Sequence, residues 1–150
     1  MAAVNTVPIY SKVGVNTWNP TDADGPLTAG FLKSANTNVD GTGTMVTIFT
    51  ADSTNGSRVD RISIRAAGTN TATVLRVFVN NGSASNATNT ALITEVTCPA
   101  TSVSQVAALA DVTISGTPFP MVLAPGYKLM VTIGTAVAAG LRVTAWGGNY

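Results

Sequence analysis

Short segments in which apolar and polar residues alternate follow one another along most of this 150-residue chain. From Thr44 onward they recur at intervals of roughly 8–12 residues, separated by glycine, asparagine and proline, a spacing typical of sandwiches and barrels. No apolar run approaches the roughly 20 residues that a membrane-spanning helix needs. The pattern predicts an all-β fold, because alternation with a period of two buries one face of a strand.

Eight segments carry the strand pattern. They are residues 44–50, 58–66, 74–79, 90–98, 112–115, 121–123, 128–133 and 141–146. The turn at residues 124–127 has proline and glycine at its central positions and predicts a hairpin between the two segments that flank it. Residues 103–109 fit either a helical turn or an edge strand. These elements predict an antiparallel two-sheet β-sandwich that is jelly-roll-like.

The first 43 residues have a different character from the rest of the chain. They contain three of the seven prolines and little sustained periodicity. Proline and loop-forming residues in such density predict an extended N-terminal arm over residues 1–43, followed by the β-sandwich domain at residues 44–150. Trp18 is the largest apolar side chain of the arm, and it fits a groove on either its own or a neighbouring subunit.

Reactive side chains are scarce. The chain has no histidine, and Cys98 is its single cysteine. An internal disulfide and a multi-cysteine metal site are therefore excluded, and the thiol lacks the histidine that usually activates it. No Gly-x-Ser-x-Gly or Ser-x-x-Lys pattern is present. We predict a non-enzymatic protein with no catalytic residue, cofactor or metal site, in which Cys98 is a small buried residue.

The charge balance bears on the choice of partner. The net charge is +1 and only 10% of residues are charged, compared with about 25% in an average domain. Such a chain has no overall field that would draw it to nucleic acid or to an anionic membrane, so neither is an expected partner. The first residues lack the basic and apolar regions of a secretory signal, which predicts synthesis in a cytoplasm.

Two successive predicted strands carry the candidate interaction residues. In residues 58–66, Arg61 and Arg65 alternate with apolar residues and face outward. In residues 74–79 the outward positions are Val74, Arg76 and Phe78. If the two strands pair, the arginines share one face, which either docks an acidic partner or only keeps the sheet soluble. Val74 and Phe78 predict self-association. Aromatic residues do not interleave with the arginines in the style of an RNA-binding platform, which is a second reason not to expect nucleic acid as a partner.

The carboxy-terminal two thirds of the chain, residues 58–150, resembles small virion structural proteins of tailed bacteriophages, of the capsid decoration or cement type. The likeness is carried by residues 61–69 with 75–79, 92–96, 121–129 and 142–150. In that group a Leu-Pro-x-Gly-aromatic-Lys-Leu hairpin and a terminal Thr-Ala-x-Gly-Gly-x-aromatic segment recur. This chain departs slightly, since Ala124 precedes Pro125 where leucine is common.

The resemblance implies a sandwich that is synthesised in the host bacterial cytoplasm and sits on the capsid surface of a virion. It implies two partners, namely the major capsid protein and the chain itself as a homodimer or homotrimer. The expected function is to bind the assembled capsid lattice and stabilise it. The alternative is a phage tail or head-fibre module whose loops bind glycans on the host surface.

Overall fold

The computed structural model describes residues 12–15 and 31–150. Within these residues the chain forms ten strands and no helix, which confirms the all-β prediction. In chain order the strands are β1 (Lys12–Val15), β2 (Phe31–Leu32), β3 (Val46–Thr50), β4 (Ser57–Ala66), β5 (Thr73–Asn80), β6 (Thr90–Cys98), β7 (Val112–Ile114), β8 (Met121–Leu123), β9 (Lys128–Ile133) and β10 (Leu141–Asn149).

The strands form two antiparallel sheets, as predicted. In the first sheet β10 and β4 pair along their whole lengths. The two short strands β1 and β2 both pair with the other side of β10, and β7 and β8 both pair with the other side of β4. The first sheet is therefore four strands wide, and each of its edges is built from two short strands. The second sheet has the order β3-β9-β5-β6.

Apolar side chains from both sheets meet in one hydrophobic cluster. Ile62 and Ile64 of β4 and Val143 of β10 are buried on the inner face of the first sheet, and Leu75 and Val131 are buried on that of the second. Each such side chain contributes about 1.5–3 kcal/mol when it leaves water. The alternation predicted for β4 is confirmed, because Arg61 and Arg65 are exposed between the buried positions.

The prediction of a hairpin around residues 124–127 is wrong, although the turn itself forms at these residues. The Tyr127 N–H donates to the Ala124 carbonyl at 3.0 Å, and Gly126 has φ +76°. However, β8 pairs with β4 in the first sheet, whereas β9 pairs with β3 and β5 in the second. Leu123 and Leu129, one on each side of the turn, reach the same core from opposite sheets.

Strands β4 and β5 lie in different sheets, so the pairing considered for them does not form. Asn70 holds the connection between them. Its side-chain amide donates to the Gly140 carbonyl at 2.8 Å, and its side-chain oxygen accepts from the Ala139 N–H at 2.7 Å. A buried polar side chain with its hydrogen bonds satisfied specifies one local structure. The crossing from one sheet to the other is thus anchored on the loop that precedes β10.

Part of the predicted arm belongs to the sheets. Strand β2 pairs with the beginning of β10, and Leu32 is buried in the hydrophobic cluster. A domain boundary at residue 43 stays a prediction, and Trp18 lies outside the described residues. Residues 103–109 adopt neither of the two structures considered for them, since they form no regular element.

Candidate functional site

The outer face of the first sheet gathers half of the eight basic residues of the chain. We call this surface the arginine face, and it consists of Arg58, Arg61, Arg65, Arg142 and Trp146. Alternation along β4 and β10 places Arg61, Arg65, Arg142 and Trp146 outward. Arg58 reaches the same face because the pairing of β4 with β10 is irregular at Asp60, between Val59 and Arg61. The two central strands of the sheet therefore build one continuous surface.

Arg61 and Trp146 form the centre of this face. They are cross-strand neighbours, and the Arg61 guanidinium lies 4.6 Å from the centroid of the Trp146 ring. The indole N–H donates to the Ser63 hydroxyl, which orients the ring on the sheet. Trp146 is nevertheless 36% exposed. A guanidinium stacked on an indole is attracted to the negative face of the ring. The pair is thus an ordered aromatic and cationic surface open to solvent.

The other arginines of the face lie around this centre. Arg65 approaches Asp111 at 3.5 Å, and the Arg142 guanidinium lies 5.3 Å from the Phe31 ring centroid. An exposed ion pair such as Arg65–Asp111 contributes little to stability and leaves its charges accessible to solvent. Arg58 makes a shorter contact, 2.8 Å, with Asp60 on its own strand. Two aspartates therefore contact a face that has four arginines, which leaves an excess of positive charge on this side of the sheet.

Of the predicted interaction residues, the structure brings Arg61 and Arg65 together and places Arg76 elsewhere. Arg76 lies on the second sheet, where its side chain is only 17% exposed. Its guanidinium contacts Glu95 at 2.8 Å and donates to the Asn36 carbonyl at 3.2 Å. Arg76 therefore holds the segment that follows β2 against the sheet, and it does not extend the arginine face.

Phe78 does not offer the exposed surface that was predicted for it. Its side chain is completely buried although it points away from the core between the sheets. Its cross-strand neighbour Met130 is also buried, and the Ser85 hydroxyl lies 3.4 Å from the Met130 sulfur. Residues 36–41 run from Arg76 toward β6, where Gly41 packs against Thr90. Loops therefore cover this part of the second sheet, which the strand alternation could not reveal.

Val74 is half-buried and lines a shallow depression of about 310 Å³ together with Arg76 and Thr97. Its predicted role in self-association stays a prediction. Because Phe78 offers no surface, however, the apolar outward patch expected around Arg76 is reduced to this single valine.

Sequence reasoning missed Trp146 and Arg142. The sequence showed no aromatic residue interleaved with the arginines, whereas in the structure Trp146 of β10 is 36% exposed and lies against Arg61. A signal was present, because Val143 and Ala145 are apolar alternating positions that place Trp146 on the outward face. The expectation that nucleic acid is not a partner rested partly on the lack of aromatic residues among the arginines, and it stays a prediction.

The prediction for Cys98 is confirmed, since it is a buried free cysteine within the hydrophobic cluster. Burial away from water raises the pKa of its thiol above the ordinary value of 9.0. A backbone hydrogen bond at Leu75 acts in the opposite direction and is the smaller effect. Because the thiolate is the nucleophilic form, this environment keeps Cys98 unreactive.

Replacing Arg76 with methionine should destabilise the fold more than replacing Arg58. Arg76→Met removes the ion pair with Glu95 and leaves the Asn36 carbonyl without its donor, so we expect a loss of about 1–2 kcal/mol. In the matched control, Arg58→Met, an exposed pair on one strand is lost, and we expect less than about 0.5 kcal/mol. Urea denaturation of both variants measures the difference. Equal losses would show that Arg76 does not hold the segment.

No protein-family model, curated protein or solved structure matches this chain. In the described part of the chain, no helix is long and apolar enough to cross a membrane.

Proposed function

We propose that this chain is a non-enzymatic bacteriophage capsid decoration protein that binds the assembled capsid lattice through its arginine face and stabilises it. The observation that carries the proposal is the exposed Arg61–Trp146 pair at the centre of a sheet face. The resemblance of residues 58–150 to decoration proteins supports the same function.

The shape of the arginine face favours a macromolecular partner. Small-molecule sites are usually concave and mostly apolar, whereas this surface is the outer side of a β-sheet with several solvent-exposed cations. Tryptophan and arginine are the residues that most often dominate the energy of protein interfaces. An acidic protein surface complements the face in charge, and we propose the major capsid protein as its source.

Stabilisation of the shell follows from mass action. A protein that binds assembled subunits better than free ones shifts the equilibrium toward assembly. Each contact is weak by itself, but many linked copies on one lattice raise the effective affinity by roughly 100–10,000-fold. An oligomer that presents several arginine faces therefore suits this function better than a single chain.

The connectivity of the sheets supports a jelly roll, a fold common among capsid proteins. We count β7 and β8 as one interrupted strand. From β2 onward, the first sheet then contains β2, β4, β7 with β8, and β10, and the second sheet contains β3, β5, β6 and β9. The chain changes sheet at every step except the one from β5 to β6. Each sheet then has four positions, with β10 beside β4 in one and β9 beside β5 in the other. This alternation is the strand order of two interleaved Greek keys, and we include it in the proposal.

A second candidate function is a tail or head-fibre module that binds host glycans. The observation that favours it is the exposed Trp146 ring, since aromatic faces are common sugar platforms. However, the Arg61 guanidinium lies over the ring and competes for the surface on which a sugar would stack. We therefore place this function second.

The number of copies per virion tests the proposal. Quantified gel bands from purified parent particles should show hundreds of copies for a decoration protein. A handful of copies would support the fibre module, and absence of the chain from intact particles would refute both functions. Binding of the purified chain to free nucleic acid rather than to particles would also refute the proposal.

A further inference from the structure

The connection between β6 and β7 presents an apolar tip to solvent. Residues 102–110 contain no charged side chain. Within them Val106 is 97% exposed and Val103 is 55% exposed. Single exposed valines are ordinary on protein surfaces, but an uncharged apolar segment that projects in this way is typical of an interaction site. We call residues 102–110 the apolar tip.

Hydrogen bonds and packing hold the apolar tip in its projecting position. The Ser104 hydroxyl accepts from the N–H groups of Val106 and Ala107, each at 3.2 Å. At one end the Val103 N–H donates to the Thr69 hydroxyl at 3.1 Å, and at the other end Leu109 packs against the core. Val106 is thus kept in solvent by an ordered turn, which lowers the entropic cost of docking it.

A groove with matching chemistry lies beside β2. It has a volume of about 420 Å³, and its apolar lining includes Phe31, Leu32, Ala35 and Val46. Among the described residues that line it, Lys33 is the only charged one. Its size and apolar walls are those of a surface cleft that accepts a ligand or a side-chain cluster. Val106, which is followed by two alanines, is small enough to enter it.

The apolar tip and the groove lie at opposite edges of the first sheet. The tip leads directly into β7, which forms one edge beside β4, and the groove adjoins β2, which forms the other edge beside β10. Neighbouring strands are spaced by about 4.8 Å, so these two edges are separated by roughly 14 Å. Val106 is 97% exposed, so it does not occupy the groove of its own chain. It is free to enter the groove of a second chain placed side by side.

The charges that flank the two surfaces are complementary. Asp111 immediately follows the apolar tip, and Lys33 lies in the lining of the groove. Asp111 also contacts Arg65 of its own chain, but this pair is half exposed. A contact between the tip of one chain and the groove of another brings the charges of Asp111 and Lys33 into the same interface. This arrangement favours the docking of a second copy over that of an unrelated apolar ligand.

The geometry points to a head-to-tail contact in which the apolar tip of one copy, led by Val106, occupies the groove beside β2 of the next copy. This inference rests on the proposed function for the existence of a homo-oligomer and adds which surfaces form it. Contacts between two different surfaces close into a ring when the rotation permits. A closed ring of this kind carries one arginine face for each copy. The assembly thereby becomes a multivalent ligand for a repeating lattice.

Sedimentation velocity of the purified full chain tests this contact. Val106→Asp places an unpaired charge in the groove of the neighbour, and Ala35→Trp fills the groove itself. We expect either substitution to weaken association at least about 30-fold, which corresponds to about 2 kcal/mol. In the matched control, Val39→Asp, a charge is added at an exposed valine on another loop, and we expect no change. Thermal melts check that all three variants are folded.

Mixing the two weakened variants gives a second readout. The Val106→Asp chain retains an intact groove and the Ala35→Trp chain retains an intact tip, so together they should form a dimer that cannot extend. A wild-type chain that stays monomeric up to about 100 µM, or a Val106→Asp chain that associates normally, overturns the inference. Particle binding by a monomeric wild type would leave the proposed function standing. Ring formation without particle binding would refute the function alone.

Discussion

Replacing Trp146 with alanine is expected to weaken binding of the chain to parent particles that lack it by at least about 30-fold, or about 2 kcal/mol. Trp146 is the exposed aromatic residue at the centre of the arginine face and supports the Arg61 guanidinium. Arg61→Ala should reduce affinity by about 10-fold. Because the two side chains stack on each other, the double variant should lose less than the sum of the two losses. Co-sedimentation with particles over a range of chain concentrations measures all three.

Two controls separate a docking role from a structural one. Val39→Ala truncates an exposed apolar side chain outside the arginine face, and it should leave binding unchanged. Arg61→Lys preserves the charge but not the planar group that stacks on the indole. If lysine restores full affinity, charge alone directs docking, whereas partial affinity indicates that stacking contributes. Unchanged binding by Trp146→Ala and Arg61→Ala together would refute docking through this face.

The largest expected effect on stability is at Gly147. Strand β10 has an irregularity in its register with β4 between Trp146 and Gly147. A Cβ atom at Gly147 would lie 2.1 Å from the Arg58 carbonyl oxygen and 2.9 Å from the Cα of Val59. Both contacts are to the backbone of a central strand, which cannot move away cheaply. We expect Gly147→Ala to destabilise the fold by about 3 kcal/mol and to lower Tm by roughly 6–12 °C.

Gly116 offers a matched control for this substitution. A Cβ atom at Gly116 would meet nothing within 4 Å, so Gly116→Ala should change stability by less than about 1 kcal/mol, with a slight gain from the stiffer unfolded chain. Differential scanning calorimetry of both variants compares them directly. Similar melting temperatures for the two variants would show that β4 and β10 can separate locally at the irregularity, contrary to the close approach at Gly147.

Much of the local structure could be predicted because it depends on neighbours along the chain. The alternation in residues 61–66 identified the buried and the outward positions of that part of β4, and residues 90–98 match β6 to the residue. The burial of Cys98 followed from its size and apolar character. The turn at residues 124–127 was found from proline and glycine, whose backbone preferences are local.

The candidate site could be predicted only in part. Arg61 and Arg65 were identified because a single strand places them on one face. Arg142 and Trp146 join them only because β10 pairs with β4, a contact between residues about 80 positions apart in the chain. Arg76 was assigned to the same patch because β5 follows β4, yet the two strands lie in opposite sheets.

The sequence by itself determined where the chain is extended, where it turns and which side chains of each strand face a core. These properties follow from the period of the apolar pattern and from the φ preferences of proline and glycine. Only the tertiary structure decided which strands are neighbours, that loops cover Phe78, and that Trp146 stacks on Arg61. Strand pairing and loop placement depend on closing one core from distant segments, and no residue carries that information in its local pattern.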